Sequence, residues 1–151
     1  MHSTYRILAY AICALVALQA AMHAWSSAGL AKYIAGGGTL DMTSDAPPPV
    51  PEFTGIIVHA MNGMYVIPIV ALALLVVAFL SRARGAVGYA AIILVLVVVQ
   101  VALGFLGHEM TSMALLHGLN ALLLFGCAFA AARSVKSVHL EVPAHAEPVL
   151  A

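Results

Sequence analysis

One short pattern occurs twice in the chain, first as His59-Ala-Met-Asn62-Gly63 and again as His117-Gly-Leu-Asn120-Ala121. In both copies a histidine is followed three residues later by an asparagine and four residues later by a very small residue. Positions i, i+3 and i+4 lie on one face of a helix. Each copy continues into a long apolar run, so each predicts a helix that presents an imidazole, an amide and a gap on one side.

Four apolar stretches are long enough to cross a bilayer, which takes about 20 apolar residues. They run from about 5 to 30, 53 to 80, 86 to 107 and 113 to 132. Of the 151 residues 64% are hydrophobic and 8% are charged, whereas a soluble domain has roughly a quarter charged residues. The sequence predicts an all-α integral membrane four-helix bundle, up-down-up-down, over 1–136. An outer loop at 31–52 and a disordered cytoplasmic tail at 137–151 complete the organisation.

The first stretch has two features of a signal peptide, a basic start at Arg6 and a possible cleavage site at Ser26-Ser27-Ala28. Its apolar run is longer than the usual 7–15 residues of a signal peptide. We therefore expect a retained helix. In the second stretch Pro68 predicts a kink that neighbouring helices tolerate.

The charged residues indicate an orientation in the membrane. Five of the six basic residues fall on one side of the predicted bundle: Arg6, Arg82, Arg84, Arg133 and Lys136. The other side has Lys32 and four acids: Asp41, Asp45, Glu52 and Glu109. Lys and Arg are in excess on the cytoplasmic side of membrane proteins. We therefore expect both termini in the cytoplasm, in a bacterial inner membrane.

Composition also excludes several function classes. The formal net charge is zero and the basic residues are scattered, so nucleic acid is not an expected partner. Every acidic residue falls in a predicted loop, tail or interface, which argues against a proton or ion transporter. No nucleophile is placed with a base and an orienting acid, which argues against a hydrolase. The outer loop, with Gly36-Gly37-Gly38 and prolines 47–49 and 51, has linker composition. This loop is either a simple connector, or a functional segment that acts as a lid or contacts a partner.

Three histidines on three helices form a layer below the outer surface. At 1.5 Å per residue, His59, His117 and His23 lie about 10 to 13 Å inside the outer boundary. His108 lies just above them at the end of the third helix. The histidines at 2, 139 and 145 fall on the cytoplasmic side and are expected to be ordinary surface residues.

The two halves of the chain resemble each other. Gln19, His23 and Ser27 stand at i, i+4 and i+8 in the first helix, and Gln100, Gly104 and His108 do the same in the third. Aligning Gln19 with Gln100 and His59 with His117 predicts two related helix pairs. Internal repeats of this kind are common in membrane bundles.

A haem fits this arrangement. Helices two and four are diagonal partners in such a bundle, roughly 13 Å apart, and that separation suits an iron between the imidazoles of His59 and His117. Asn62 and Asn120 would fix the imidazole tautomers or satisfy backbone carbonyls. Room for the macrocycle would come from small residues: Gly63, Gly104, Gly107, Gly118 and Ala121.

The prediction is therefore one haem b held by two axial histidines. Its propionates would point outward, towards His23, His108 and Lys32. A second haem bound by His23 and His108 is a further possibility. Cys13 and Cys127 form no CxxCH pattern, so a c-type attachment is excluded.

Other interpretations of the histidine layer stay open. Polar residues in membrane helices often only hold helices together, and the chain would then be a haem-free accessory or assembly subunit. A copper site is a second alternative, because thioether and imidazole ligands suit copper. Its residues would be His23 and His108 with six outer methionines: Met22, Met42, Met61, Met64, Met110 and Met113. A third alternative is a protein that modifies or handles haem.

The histidines on the second and fourth helices, 58 residues apart, make the chain similar to one half of heme A synthase. That resemblance implies a four-helix bundle with His59 and His117 as the axial pair of haem b. The stretch from Leu115 to Leu124, with His117 and Asn120, also resembles an LxHxxNALLL-like last helix of small actinobacterial-type four-helix membrane proteins. This chain differs from the synthase in two respects. The synthase has two bundles, whereas this chain has one. The synthase also has a glutamate shortly before its first helix-two histidine, where this chain reads Gly55-Ile-Ile-Val-His59.

The sequence thus favours a one-electron carrier over an enzyme, because two saturated axial positions leave no open site on the iron. The expected partners are the other subunits of a respiratory or other membrane redox complex, with quinone as a further candidate and the lipid bilayer around them.

Overall fold

The computed structural model describes residues 1–40 and 49–135, most of which are helical. Helix α1 is His2–Ala35, α3 is Ala86–Glu109 and α4 is Thr111–Ser134. Between α1 and α3, a 3-10 turn at Pro51–Phe53 leads into one continuous helix, α2. It consists of Thr54–Met61, a π-helical turn at Asn62–Val66, and Ile67–Ser81. All four helices are long and apolar enough to cross a membrane.

The all-helical class and the four membrane-length helices are confirmed, but the helix ends differ from the prediction. Helix α1 runs about five residues further, to Ala35, because helical geometry continues through Lys32 and Tyr33 where the apolar pattern stops. Only Met110, in an extended conformation, separates α3 from α4. The predicted tail at 137–151 and residues 41–48 of the outer loop lie outside the described residues.

The helices pack through small side chains. Helix α1 contacts α2 and α4, and α3 contacts the same two helices, so α2 and α4 lie diagonally across the bundle, as predicted. An alanine of each helix is almost completely buried at these contacts: Ala9, Ala71, Ala90 and Ala128. Small residues let backbones approach closely, which is the main source of helix attraction where lipid removes the hydrophobic driving force.

Basic residues lie close together at one end of the bundle. The Tyr5 hydroxyl donates to the Ala86 carbonyl at 3.2 Å, so the start of α1 lies beside the start of α3. The α2–α3 turn closes at the same end, with Arg82 in the left-handed region (φ 52°) and Gly85 at φ 80°. Arg6, near the start of α1, therefore shares this end of the bundle with the turn that carries Arg82.

The internal repeat extends through the core. Buried positions of α1 recur in α3 at a constant offset of 81 residues: Tyr5 and Ala86, Ala9 and Ala90, Ile12 and Ile93, Val16 and Val97. In the other two helices Asn62 and Asn120 are 58 positions apart. Further along the two helices the offset is 57 positions, as between the buried residues Ile67 and Leu124. The π-helical turn between these two registers therefore contains one extra residue.

Pro68 gives a physical reason for the position of that turn. It has no N–H, so the carbonyl four residues earlier, on Met64, cannot accept its α-helical hydrogen bond. The π turn at Asn62–Val66 lies directly before it, and the Ile67 N–H donates to the Asn62 carbonyl, five residues back. The irregularity predicted at Pro68 is thus a widened turn that adds one residue to the register.

We expect Gly55→Ala to destabilise the bundle. A methyl group on Gly55 would lie 2.5 Å from the Met22 carbonyl oxygen and 3.1 Å from the Trp25 ring, so α1 and α2 must move apart. The cost should be roughly 1–3 kcal/mol, measured as a lower Tm in thermal unfolding of the purified protein. Gly126→Ala is the matched control, because no atom of the described residues lies within 4 Å of its added methyl group. Equal Tm values for the two variants would contradict the close α1–α2 contact.

Candidate functional site

The site is built on two imidazoles from the diagonal helices. The ring centroids of His59, on α2, and His117, on α4, lie 6.1 Å apart with an angle of 48° between the ring planes. Both side chains are partly buried. The histidines of the two copies of the pattern therefore lie next to each other in the bundle.

Backbone carbonyls of the neighbouring helices hold both rings. His59 Nδ1 lies 3.0 Å from the Gln19 carbonyl oxygen, and His117 Nδ1 lies 3.0 Å from the Gln100 carbonyl oxygen. A carbonyl only accepts, so a neutral ring must carry its proton on Nδ1. Nε2 of each ring then keeps its lone pair. Histidines that bind metals are oriented in this way, by an N–H on the other side of the ring.

The two asparagines complete a repeated clamp on the neighbouring helix. Asn62 Nδ2 donates to the Leu15 carbonyl at 3.3 Å, and Asn120 Nδ2 donates to the Leu96 carbonyl at 2.9 Å. Each histidine and its asparagine therefore contact carbonyls one helical turn apart on the same helix. Of the two roles predicted for Asn62 and Asn120, the structure shows the second, in which each amide donates a hydrogen bond to a backbone carbonyl. The tautomers are set by main-chain atoms.

The glutamine side chains break this symmetry. Asn120 Nδ2 also donates to Gln100 Oε1 at 2.6 Å. In the other half, among the residues that the structure describes, Gln19 Oε1 and Asn62 Oδ1 are buried and have no hydrogen-bond partner. One half of the site is thus internally satisfied, and the other has two buried acceptors without a donor.

A third ring, that of His23, lies beside the His59 ring. The His23 ring centroid lies 5.3 Å from that of His59 with the planes at 71°, and His23 Nδ1 lies 3.2 Å from the Ser27 hydroxyl. His23 is exposed. The predicted layer of three histidines is therefore present as a row of three rings. His108 is exposed at the end of α3, and within residues 1–40 and 49–135 the ring contacts do not include it.

The small residues of the site allow close approach. A methyl group on Gly63 would lie 2.5 Å from Gln19 Nε2, and one on Gly104 would lie 3.3 Å from His117 Cε1. A methyl group on Gly107 would lie 3.3 Å from Ala114, whereas nothing lies within 4 Å of one on Gly118. The spaces beside Gly63 and Gly104, predicted to admit a macrocycle, hold the Gln19 and His117 side chains.

The donor set fits a metal bound by two imidazoles from opposite sides. Metal–nitrogen bonds of about 2.0 Å place the ring centroids of a linear N–metal–N unit roughly 6 Å apart, close to the spacing of His59 and His117. In the described part of the chain there is no group of three or more His, Cys, Asp or Glu side chains that could hold a metal ion. Haem ligation by His59 and His117 stays a prediction at this point. The methionine-rich copper site stays a prediction.

Comparison of the chain with protein-family models, with curated proteins and with solved structures found no match.

Sequence reasoning found the side chains of the site but missed their partners. The carbonyls of Leu15, Gln19, Leu96 and Gln100 are main-chain atoms, and residue identity does not reveal them. One signal was available, since Gln19 and Gln100 occupy equivalent positions in the repeat. That equivalence marks the contact points of α1 and α3.

We expect Asn120→Ala to destabilise the protein more than Asn62→Ala. The first removes donors from the Leu96 carbonyl and from Gln100 Oε1, the second only from the Leu15 carbonyl. Loss of a buried hydrogen bond costs roughly 1–3 kcal/mol when a partner is left unsatisfied. Thermal unfolding of both variants in the same detergent measures the difference. A larger loss for Asn62→Ala would show that the short contacts of Asn120 do not carry the stability.

Proposed function

We propose that this chain is a membrane haem b protein in which His59 and His117 are the axial ligands. The observation that carries the proposal is the matched state of the two rings. Each Nδ1 is held by a backbone carbonyl at 3.0 Å, each Nε2 keeps its lone pair, and the centroids are 6.1 Å apart. Two carbonyls from two different helices produce the same orientation twice, which simple packing does not require.

The proposed activity is one-electron transfer. Haem held by two imidazoles supplies a one-electron redox couple with no open position for oxygen. The residues of this chain keep both imidazoles in place. Each ring is fixed by a carbonyl of a neighbouring helix, so neither His59 nor His117 needs to move or to change its proton. Such a preorganised site suits repeated electron transfer better than catalysis.

The proposed topology is up-down-up-down with both termini in the cytoplasm of a bacterial inner membrane. The support is the charge pattern: Arg6, Arg82 and Arg84 belong to the end of the bundle where Tyr5 meets Ala86. Glu52 belongs to the other end, where its side chain packs against Gly29. The positive-inside rule makes the basic end cytoplasmic, and the proposed haem then lies nearer the outer face.

The partners follow from this placement. The described residues consist mainly of membrane-length helices, so electrons would enter and leave within the membrane or at its outer surface. We propose that the chain works as a subunit beside other membrane redox subunits. The quinone pool is the small-molecule partner that is soluble in the same layer.

A second candidate is a haem-free accessory or assembly subunit. It is favoured by the cross-helix bonds of Asn62 and Asn120, which already join the helices. Such polar contacts contribute around 0.6 kcal/mol each in membrane proteins. A protein that modifies haem is a further alternative, but it needs an open iron position or a second bundle.

The spectrum of the purified protein tests haem binding. With haem supplied during expression, we expect a sharp low-spin b-type band in the reduced-minus-oxidised visible spectrum. His59→Ala and His117→Ala should each abolish it, because each removes one axial ligand.

His2→Ala is the matched control for these variants. His2 belongs to the other end of the bundle, where its Nε2 lies 3.3 Å from the Ser81 carbonyl oxygen, and its loss should leave the band unchanged. Absence of the band from the wild-type protein would exclude the haem proposal and leave the accessory subunit in its place.

Reporter fusions test the proposed topology. A fluorescent protein fused after Ser134 should fluoresce in the cytoplasm, whereas alkaline phosphatase inserted after Gly38 should be active because that connection faces outward. The reverse pattern would place the basic end outside, against the positive-inside rule.

A further inference from the structure

The two halves of the site match except at one hydrogen bond. In the α3–α4 half the Asn120 amide donates to Gln100 Oε1. At the equivalent place in the α1–α2 half, Gln19 Oε1 and Asn62 Oδ1 are buried and have no partner among residues 1–40 and 49–135, and Asn62 as a whole is only 6% exposed. A buried acceptor without a donor is costly inside a membrane bundle. This half therefore has hydrogen-bonding capacity that the described part of the chain does not use.

A second irregularity lies at the same place. The π-helical turn that begins at Asn62 adds one residue to α2, and α4 has no such insertion at the equivalent position, since Thr111–Ser134 is a regular α-helix. Pro68 additionally leaves the Met64 carbonyl without its α-helical donor. Single π-helical turns inside α-helices occur frequently at functional sites. Both differences between the halves thus concern the same turn of α2.

The chemistry of the unpartnered atoms defines the ligand. Both atoms are amide oxygens, which only accept hydrogen bonds, so the ligand must donate. A cation is disfavoured, because the acidic residues in the described ranges, Glu52 and Glu109, lie at the ends of the helical spans. A charge at this depth would have no counter-charge in those ranges. The ligand is therefore a neutral donor, and the neutral donors common in and beside a bilayer, water and quinol, donate through a hydroxyl group.

We propose that the α1–α2 half of the site binds a neutral hydroxyl group between Gln19 and Asn62, beside His59. The hydroxyl belongs either to a bound water molecule or to a quinol dissolved in the bilayer. Both supply an O–H donor without charge. The quinol source rests on the proposed electron transfer, because a quinol placed beside His59 would be the electron donor, whereas the water source does not depend on that proposal.

The quinol source is tested by thermal unfolding of the purified haem-free protein with duroquinol and with duroquinone. The two probes share ring and methyl groups, but only duroquinol carries hydroxyl donors. We expect duroquinol alone to raise the Tm by several degrees at a large excess over its Kd. Gln19→Leu should abolish the shift, while Gln100→Leu, the equivalent change in the other half, should preserve it.

The water source is tested by solid-state NMR of the isotope-labelled protein in bilayers. A resident water molecule should give cross-peaks from water protons to the side-chain amides of Asn62 and Gln19 and none to that of Asn120. A duroquinol-selective shift or these cross-peaks would each support the hydroxyl site and identify its source. If the wild-type protein shows neither, the proposal is overturned, even if a variant fails to fold. The haem spectrum is a separate readout, so the failure of either proposal can be recognised alone.

Discussion

The structure depends on side-chain donors that reach backbone carbonyls of a neighbouring helix inside an apolar bundle. Hydrocarbon offers no hydrogen-bond partners, so a polar side chain there must find one in the protein. His59 and Asn62 do so on α1, and His117 and Asn120 do so on α3. Two contacts one helical turn apart fix the position of a helix along its axis and its rotation about that axis, both relative to the neighbouring helix. The small-residue core and the facing rings follow from that alignment.

The same hydrogen bonds are used by both functional interpretations, haem ligation and haem-free helix packing. A contact that holds two helices together and a contact that orients an imidazole for a metal are here the same contact. Structural use therefore does not compete with metal binding, because the carbonyl takes the Nδ1 proton and leaves Nε2 available. What distinguishes the interpretations is the second ring. The haem proposal uses the 6.1 Å spacing of the His59 and His117 ring centroids, which the accessory-subunit alternative does not need.

The sequence was informative where spacing determines geometry. Histidine and asparagine at i and i+3 indicated one helix face, and the length of the apolar runs indicated four helices. The equivalence of Gln19 and Gln100 indicated the repeat. The extra residue at Asn62–Val66 could not be read in this way, because one additional position in a continuous apolar run leaves its composition unchanged. The different state of the two glutamine amides was equally hidden, since identical residues at equivalent positions gave no sign that only Gln100 has a donor.

The single residue between α3 and α4 has a consequence for how the protein is made. Met110 is too short a connection to let these helices separate, and the polar groups of their contact, Asn120, Gln100 and His117, bond to one another or to the backbone of the pair. This hairpin can therefore leave the insertion machinery as a finished unit. The first two helices are made earlier, and their own bonds, from His59 to the Gln19 carbonyl and from Asn62 to the Leu15 carbonyl, must form across the longer connection at 36–50.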